Sequence, residues 1–382
     1  METPTFAEVF KQLKTNFSLM GIPRDKSMPN VRFYILLASL SLMLVEEMFF
    51  FVKKMAPENF LELTGLAPCI CVGFLSALKI IPVACHRTTV FSLADKLNEL
   101  STEILKDPKN ENVIKPNINS VRTLIKYYFI LNLVLISVYN FSTPFYILYH
   151  YIASKEEIFY LPYPVLVPFS TETWLNWSIV YLHSIASGFI CVLYFTTVDG
   201  LYFVLTSYVC SMFEVLSKDI KKIDNDTTDL KELIKRHQYV LMLAEDLEVI
   251  FTLPNFFNVL VGSIEICALG LNLMIGEWGD VPGCILFLSS VLIQIFMISV
   301  FGEKLITEST KVSDSAFLCK WYEMNTKSKK TILMLMIRAH KPQRLTANKF
   351  SVICFNGFSK IISNSWSYFT ILWTVYSRKN EQ

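Results

Sequence analysis

A hydroxyl recurs every three or four residues through the apolar stretch SNSWSYFTILWTVYS, residues 363–377. At about 100° per residue on a helix, Asn356, Ser359, Ser363, Ser367, Thr370, Thr374 and Ser377 share an arc of about 80°. Lys360 and Asn364 flank that arc, as do Ile371 and Val375 near the far end, while Trp366, Phe369, Trp373 and Tyr376 point away from it. Such a stripe has two uses. Hydroxyls can bond neighbouring helices in a membrane, or they can wet one side of a helix that borders an ion path. The pattern alone leaves both open.

Other polar groups also sit inside apolar runs. Glu265 in GSIEICALGLNL and Asp199 in FTTVDGLYF are intramembrane acids, which are costly and mark either a site or an internal pair. A structural cap or pair is the favoured reading for Asp199, which lies near the inner end of its span. Glu46 and Glu47 either line an outer vestibule or, more simply, snorkel to the interface. Trp174 and Trp177 read as interface anchors. The nine cysteines include a CxC at 69–71 inside an apolar helix with no partner pair, so they read as packing thiols without an extracellular disulfide. Asn140 and Asn176 begin glycosylation sequons near span ends. The five histidines are scattered, and HExxH, Walker, GxGxxG and GxSxG motifs are all missing. The sequence therefore implies no catalytic residue, no metal and no cofactor. A net charge of +2 gives no reason to expect a nucleic-acid partner.

The elements that must position these groups are membrane helices. Of 382 residues, 53% are hydrophobic and only 18% charged, with 30 Phe and 17 Tyr; soluble domains carry about 25% charged residues. Runs of about 20 apolar residues are needed to cross the hydrocarbon. Seven are present, at 33–52, 66–84, 127–149, 175–198, 255–276, 282–302 and 350–376. The expectation is an all-α polytopic membrane protein with one domain over 1–382. The shorter TILMLMI (331–337) reads as a helix outside the membrane, and the charged, helically patterned stretch 215–251 predicts that spans four, five and six continue beyond the bilayer.

Before span one, and between spans two and three, four and five, and six and seven, lie 28 of the 35 Lys and Arg residues. Positive loops stay inside, so the N-terminus is predicted cytoplasmic and the C-terminus extracellular. That is the reverse of a G-protein-coupled receptor. A transporter of small apolar molecules would favour repeat symmetry and broken helices; no repeat is evident, although Pro144 and Pro254 lie near span ends.

The stretch 313–377 resembles the insect odorant receptors. The resemblance is carried by KWYEM, IRAHKPQRLTANKF and SWSYFTILWTVY, in that order and spacing, together with RHQYVLMLAEDLEVIF ahead of span five. It implies a subunit of an odorant-gated, non-selective cation channel, four subunits around one pore, in a heterotetramer with the odorant-receptor coreceptor. It also implies a cell-membrane protein of the olfactory neuron dendrite, with membrane lipid and a small volatile odorant or pheromone as its partners. The gustatory receptors end in TY, five apolar residues, then QF; here the corresponding positions end in Thr374 and Val375. The short segment between spans four and five suggests a tuning receptor rather than the longer coreceptor.

Aligned on SYF, the family's hydrophobic gate falls on Ile371 and Val375 and a polar pore position on Thr374, with Ser367 and Thr370 on the same stripe. The family's odorant pocket lies in the outer half of the bundle between spans two, three, four and six. Candidates there are Val72, Gly73, Tyr139, Phe141, Phe145, Tyr181, His183, Leu286 and Phe287, consistent with pockets that are mostly aromatic and aliphatic.

Overall fold

One helix organises the molecule. Trp174–Lys221 (α6) is buried on every side from Tyr194 to Phe213. A helix apolar around its whole circumference must sit at the centre of a bundle. The computed structural model describes residues 5–24, 28–55, 60–155, 158–223, 227–276 and 281–380. Among these, α1 (Phe6–Met20), α2 (Val31–Lys53), α3 (Phe60–Cys85), α4 (Arg87–Ile104), α5 (Pro108–Ser154), α7 (Thr227–Ile275) and α8 (Val281–Leu318) pack on α6, and α9 (Thr326–Ala339) and α10 (Phe355–Asn380) pack farther out on α7 and α8. The fold is all-α apart from a hairpin of β1 (Thr346–Ala347) and β2 (Ser351–Val352).

Among the described residues, six helices are long and apolar enough to cross a membrane by length and composition: α2, α3, α5, α6, α7 and α8. The corresponding predicted runs lie within them, except that the fifth passes the end of α7 by one residue. As expected, α6, α7 and α8 extend well past the apolar stretch, and α5 does so too. The seventh run begins later than predicted. Phe350 closes the hairpin and Ser351–Val352 forms its second strand, so the helix starts at Phe355. Asn348 and Lys349 in the turn have φ of 49° and 64°, a left-handed backbone that ends one element and reverses the chain.

The end of the bundle rich in Lys and Arg is closed by α1, α4, α9, the hairpin and the long extensions. α1 begins with a reciprocal Thr5–Glu8 capping box and stops at Gly21, φ 78°. Its apolar face packs on α6, with the Phe6 and Tyr208 rings edge to face at 4.7 Å and Asn16 Nδ2 donating to Thr197 Oγ1 at 2.9 Å. The hairpin is tied to α7, where Glu248 accepts from the Thr346 amide at 2.8 Å and from its hydroxyl. It presses on α8 so closely that a Cβ at Gly302 would stand 2.2 Å from the Ile353 carbonyl oxygen.

At the opposite end, the segment between α5 and α6 folds back over the helices. Tyr163 is buried and donates to Asn140 Oδ1 at 3.0 Å, and Trp177 Nε1 donates to the Tyr160 carbonyl at 2.8 Å. Trp177, expected at the interface, is therefore interior and stacks on Tyr181 at 4.7 Å. Asn140, the acceptor of its sequon, is 0% exposed.

Candidate functional site

α10 touches its own subunit along a narrow edge. Gly357, Ile361 and Ser365 are buried at four-residue spacing, Ser365 Oγ donates to the Ser263 carbonyl of α7 at 3.2 Å, and Phe369 lies against Gly270. The predicted stripe is on the other side. Ser359, Ser363, Ser367, Thr370 and Thr374 are exposed. Their hydroxyls turn back on their own helix: Ser367 donates to the Ser363 carbonyl, Thr370 to Ser367 and Thr374 to Thr370, at 2.8–3.0 Å. The hydroxyl that joins α10 to another helix is Ser365, which is not in the stripe. Ile371 is 60% exposed on the stripe's flank; the Val375 side chain lies outside those described. One expectation fails: Trp366 does not pack against the subunit but is 66% exposed, since it stands beside the stripe rather than opposite it.

Within the bundle, a cavity of about 50 Å³ opens between α3, α5, α6 and α8. Val72, Val192, Phe195, Phe287 and Val291 give it apolar walls, and Asn132, Ser290 and Gln294 give it a polar side. Two of the nine candidate pocket residues, Val72 and Phe287, line it. The others are spread over the outer end. Gly73 packs on Leu44 of α2. The Tyr139 ring lies 5.2 Å from that of Tyr163, and Phe141 is 6.5 Å from Phe189. Tyr181 donates to the Asn140 carbonyl at 3.1 Å. His183 Nδ1 is 3.7 Å from Glu46 Oε2. Phe145 and Leu286, 72% and 57% exposed, turn to the outer surface of the subunit.

Below the cavity lies a buried polar cluster. Asp199 accepts from Lys79 Nζ at 2.5 Å, Tyr128 Oη at 2.7 Å and Gln294 Nε2 at 2.9 Å. The Lys79 ammonium also sits 4.2 Å from the centre of the Phe195 ring. Gln294 reaches on to Asn258 Oδ1 of α7 at 3.4 Å. Four helices thus meet on one carboxylate, with α7 joined through Gln294, and the pairing read for Asp199 is met by Lys79. Glu47 is interior, 3% exposed, rather than snorkelling. Glu265 is 1% exposed, and neither of its carboxylate oxygens has a hydrogen-bond partner among the described residues.

Sequence reasoning missed Asn132, Ser290 and Gln294. A search for amides and hydroxyls inside apolar runs, rather than for ionisable groups alone, would have found them.

The sequence model of the 7tm odorant receptor family matches residues 61–366. The chain belongs to that family. It is 27% identical to putative odorant receptor 92a of Drosophila melanogaster, covering 98% of this chain and 97% of that one. It is 25% identical to putative odorant receptor 85d of the same fly, over 89% and 85%. The fold matches the insect olfactory receptor OR5 of Machilis hrabei, solved in complex with eugenol, with a TM-score of 0.79 over 97% of this chain and 99% of that one at 13% identity. This odorant receptor is a membrane protein and not an enzyme.

Proposed function

We propose that this odorant receptor is the ligand-tuned subunit of a cation channel, assembled as a heterotetramer with the family's coreceptor. The N-terminus is cytoplasmic, the C-terminus extracellular, and α10 is the seventh crossing. The observation that carries the proposal is the exposed hydroxyl stripe of α10. Nothing among the described residues of its own subunit covers it, and the hydroxyls of Ser367, Thr370 and Thr374 are satisfied by their own backbone. A helix so arranged is finished on one face and offers the other to neighbouring subunits and water. Its moderate hydropathy, below that of the other six crossings, follows from the same stripe.

In this reading the odorant occupies the cavity between α3, α5, α6 and α8, which must widen to hold it. Gln294 and Asn258 connect that wall to α7, and α7 holds α10 through Ser263 and Gly270. Ile371 and Val375 form an apolar constriction that stops ions by dewetting, with Thr374, Thr370 and Ser367 along the wet wall. An odorant opens the pore only to the degree that it binds the open state better than the closed one.

The test is co-expression with the coreceptor, terminal epitope tags on intact cells and a panel of small volatile molecules. Odorant-evoked cation current and C-terminal staining are the expected results. N-terminal staining on intact cells, or transport without current, would overturn this reading. The transporter reading finds no support, because the long helices run unbroken through the bundle.

A further inference from the structure

The amides on the polar side of the cavity are satisfied at one end only. Gln294 Nε2 donates to Asp199 Oδ2 at 2.9 Å and faces Asn258 Oδ1 at 3.4 Å. A carboxylate beside an ammonium only accepts, so the amide nitrogen is fixed toward Asp199 and Oε1 is the remaining end. Asn132 Nδ2 donates to the Tyr128 carbonyl, one turn back on α5, at 2.8 Å. A carbonyl also only accepts, which leaves Asn132 Oδ1 as its free end. Neither amide oxygen, nor the Ser290 hydroxyl one turn before Gln294, has a hydrogen-bond partner among the described residues. Asn132 and Gln294 are nevertheless only 8% and 2% exposed, and all three residues border the cavity.

Two buried acceptors and one hydroxyl that can donate or accept make an uneven site. Only water or a ligand can complete it, and a ligand that displaces water must replace its protons. A ketone, ether or ester takes a bond from Ser290 and leaves both amide oxygens dry. An alcohol or phenol donates to an amide oxygen and accepts from Ser290 at once. Resting on the assignment of this cavity as the odorant site, we propose that the receptor is selective for small odorants bearing a hydroxyl group. The hydrocarbon part packs on Val72, Val192, Phe195, Phe287 and Val291. Asn132, Ser290 and Gln294 determine the specificity. A site that hydrogen-bonds a hydroxyl rejects the analogue lacking it more strongly than an apolar pocket rejects a change in size.

The experiment measures whole-cell current from the receptor expressed with its coreceptor. The probes are short primary alcohols and simple phenols, their methyl ethers and the matching carbonyl compounds. Half-maximal concentrations for the hydroxyl compounds are expected to be at least about tenfold lower than for the methyl ethers. Asn132→Leu, at normal surface expression, should narrow that gap because the ethers make no bond to Asn132, whereas Ser290→Ala, which removes a donor that both classes accept from, should weaken both. Val72→Phe, which fills the cavity, should weaken all classes together. If Val72→Phe weakens every response but alcohols and ethers are equally potent in the unmodified receptor, hydroxyl selectivity is wrong and the cavity stands. Responses that ignore Val72→Phe would remove the cavity assignment itself. Should a variant fail to reach the surface, the comparison of alcohols with ethers on the unmodified receptor still decides.

Discussion

α6 and α10 both cross the bundle, and they are built for opposite ends. Over Tyr194–Phe213 α6 has no exposed residue, and its one carboxylate is bound by groups from α3, α5 and α8. α10 packs on α7 and α8 along one edge and leaves its hydroxyls outward. A helix whose neighbours all come from its own chain is a scaffold. In the proposed channel, one that is half-finished in the single subunit is completed by its neighbours. Damage to α6 should therefore appear as lost protein, and damage to the outward face of α10 as altered current through protein that folds normally.

The strongest test is Asp199→Leu. It leaves the Lys79 ammonium buried without its partner, and stranding one member of a buried pair costs about 3–5 kcal/mol. Surface expression should be largely lost, measured by biotinylation. The double change Lys79→Met with Asp199→Leu, which removes both charges, should recover most of it. If the single variant reaches the surface at ordinary levels, α6 is not the scaffold described.

Next come Ile371→Ser and Val375→Ser. Both should express normally and raise resting current or alter cation permeation. Unchanged resting current, selectivity and block in both variants would return the stripe to a role in helix packing. Ser365→Ala sharpens the contrast from within α10. It removes a hydroxyl tied to α7 and should lower the melting temperature by the equivalent of about 1 kcal/mol, whereas Ser367→Ala on the exposed face should leave it unchanged.

The smallest effect concerns His237, in the extension of α7 beyond its apolar stretch. Burial, helped by Arg338, lowers its pKa from 6.5 to about 4. The folded protein keeps the ring neutral while the unfolded chain takes up a proton as pH falls through 6.5. Stability contributed by the neutral ring is complete above 6.5 and is lost progressively down to about 4. Thermal melts in detergent between these limits should show a steeper acid loss for the unmodified protein than for His237→Phe.

Length and apolarity made the crossings legible, because the hydrocarbon imposes both. The stripe on α10 was legible because a single helix's period places its residues without any knowledge of neighbours. What stayed hidden depends on pairs distant in sequence. Lys79 and Asp199 are separated by 120 residues, and no local pattern links them. Trp177 reads as an interface residue until the segment carrying Tyr160 and Tyr163 is seen folded across it. Asn132 and Gln294 look like isolated amides in apolar runs, and only their bonded partners reveal which end faces the cavity. The hairpin at 346–352 was hidden for a different reason. Its strands are two residues each, too short for any periodicity, and its apolar residues merged into the run that follows.

The ion pair under the cavity also has a history in time. During synthesis α3 is made before α6, so the Lys79 ammonium enters the membrane before its partner Asp199 exists. At about 5–20 residues per second, roughly ten seconds pass before the ribosome has added the 120 residues that bring Asp199. Until then the long lysine stem holds its charge at the nearest aqueous boundary, and α3 cannot settle to its final depth. The order in which the bundle closes is thus written into the positions of two residues: α3 must wait for α6, and the wall of the cavity is set when they meet.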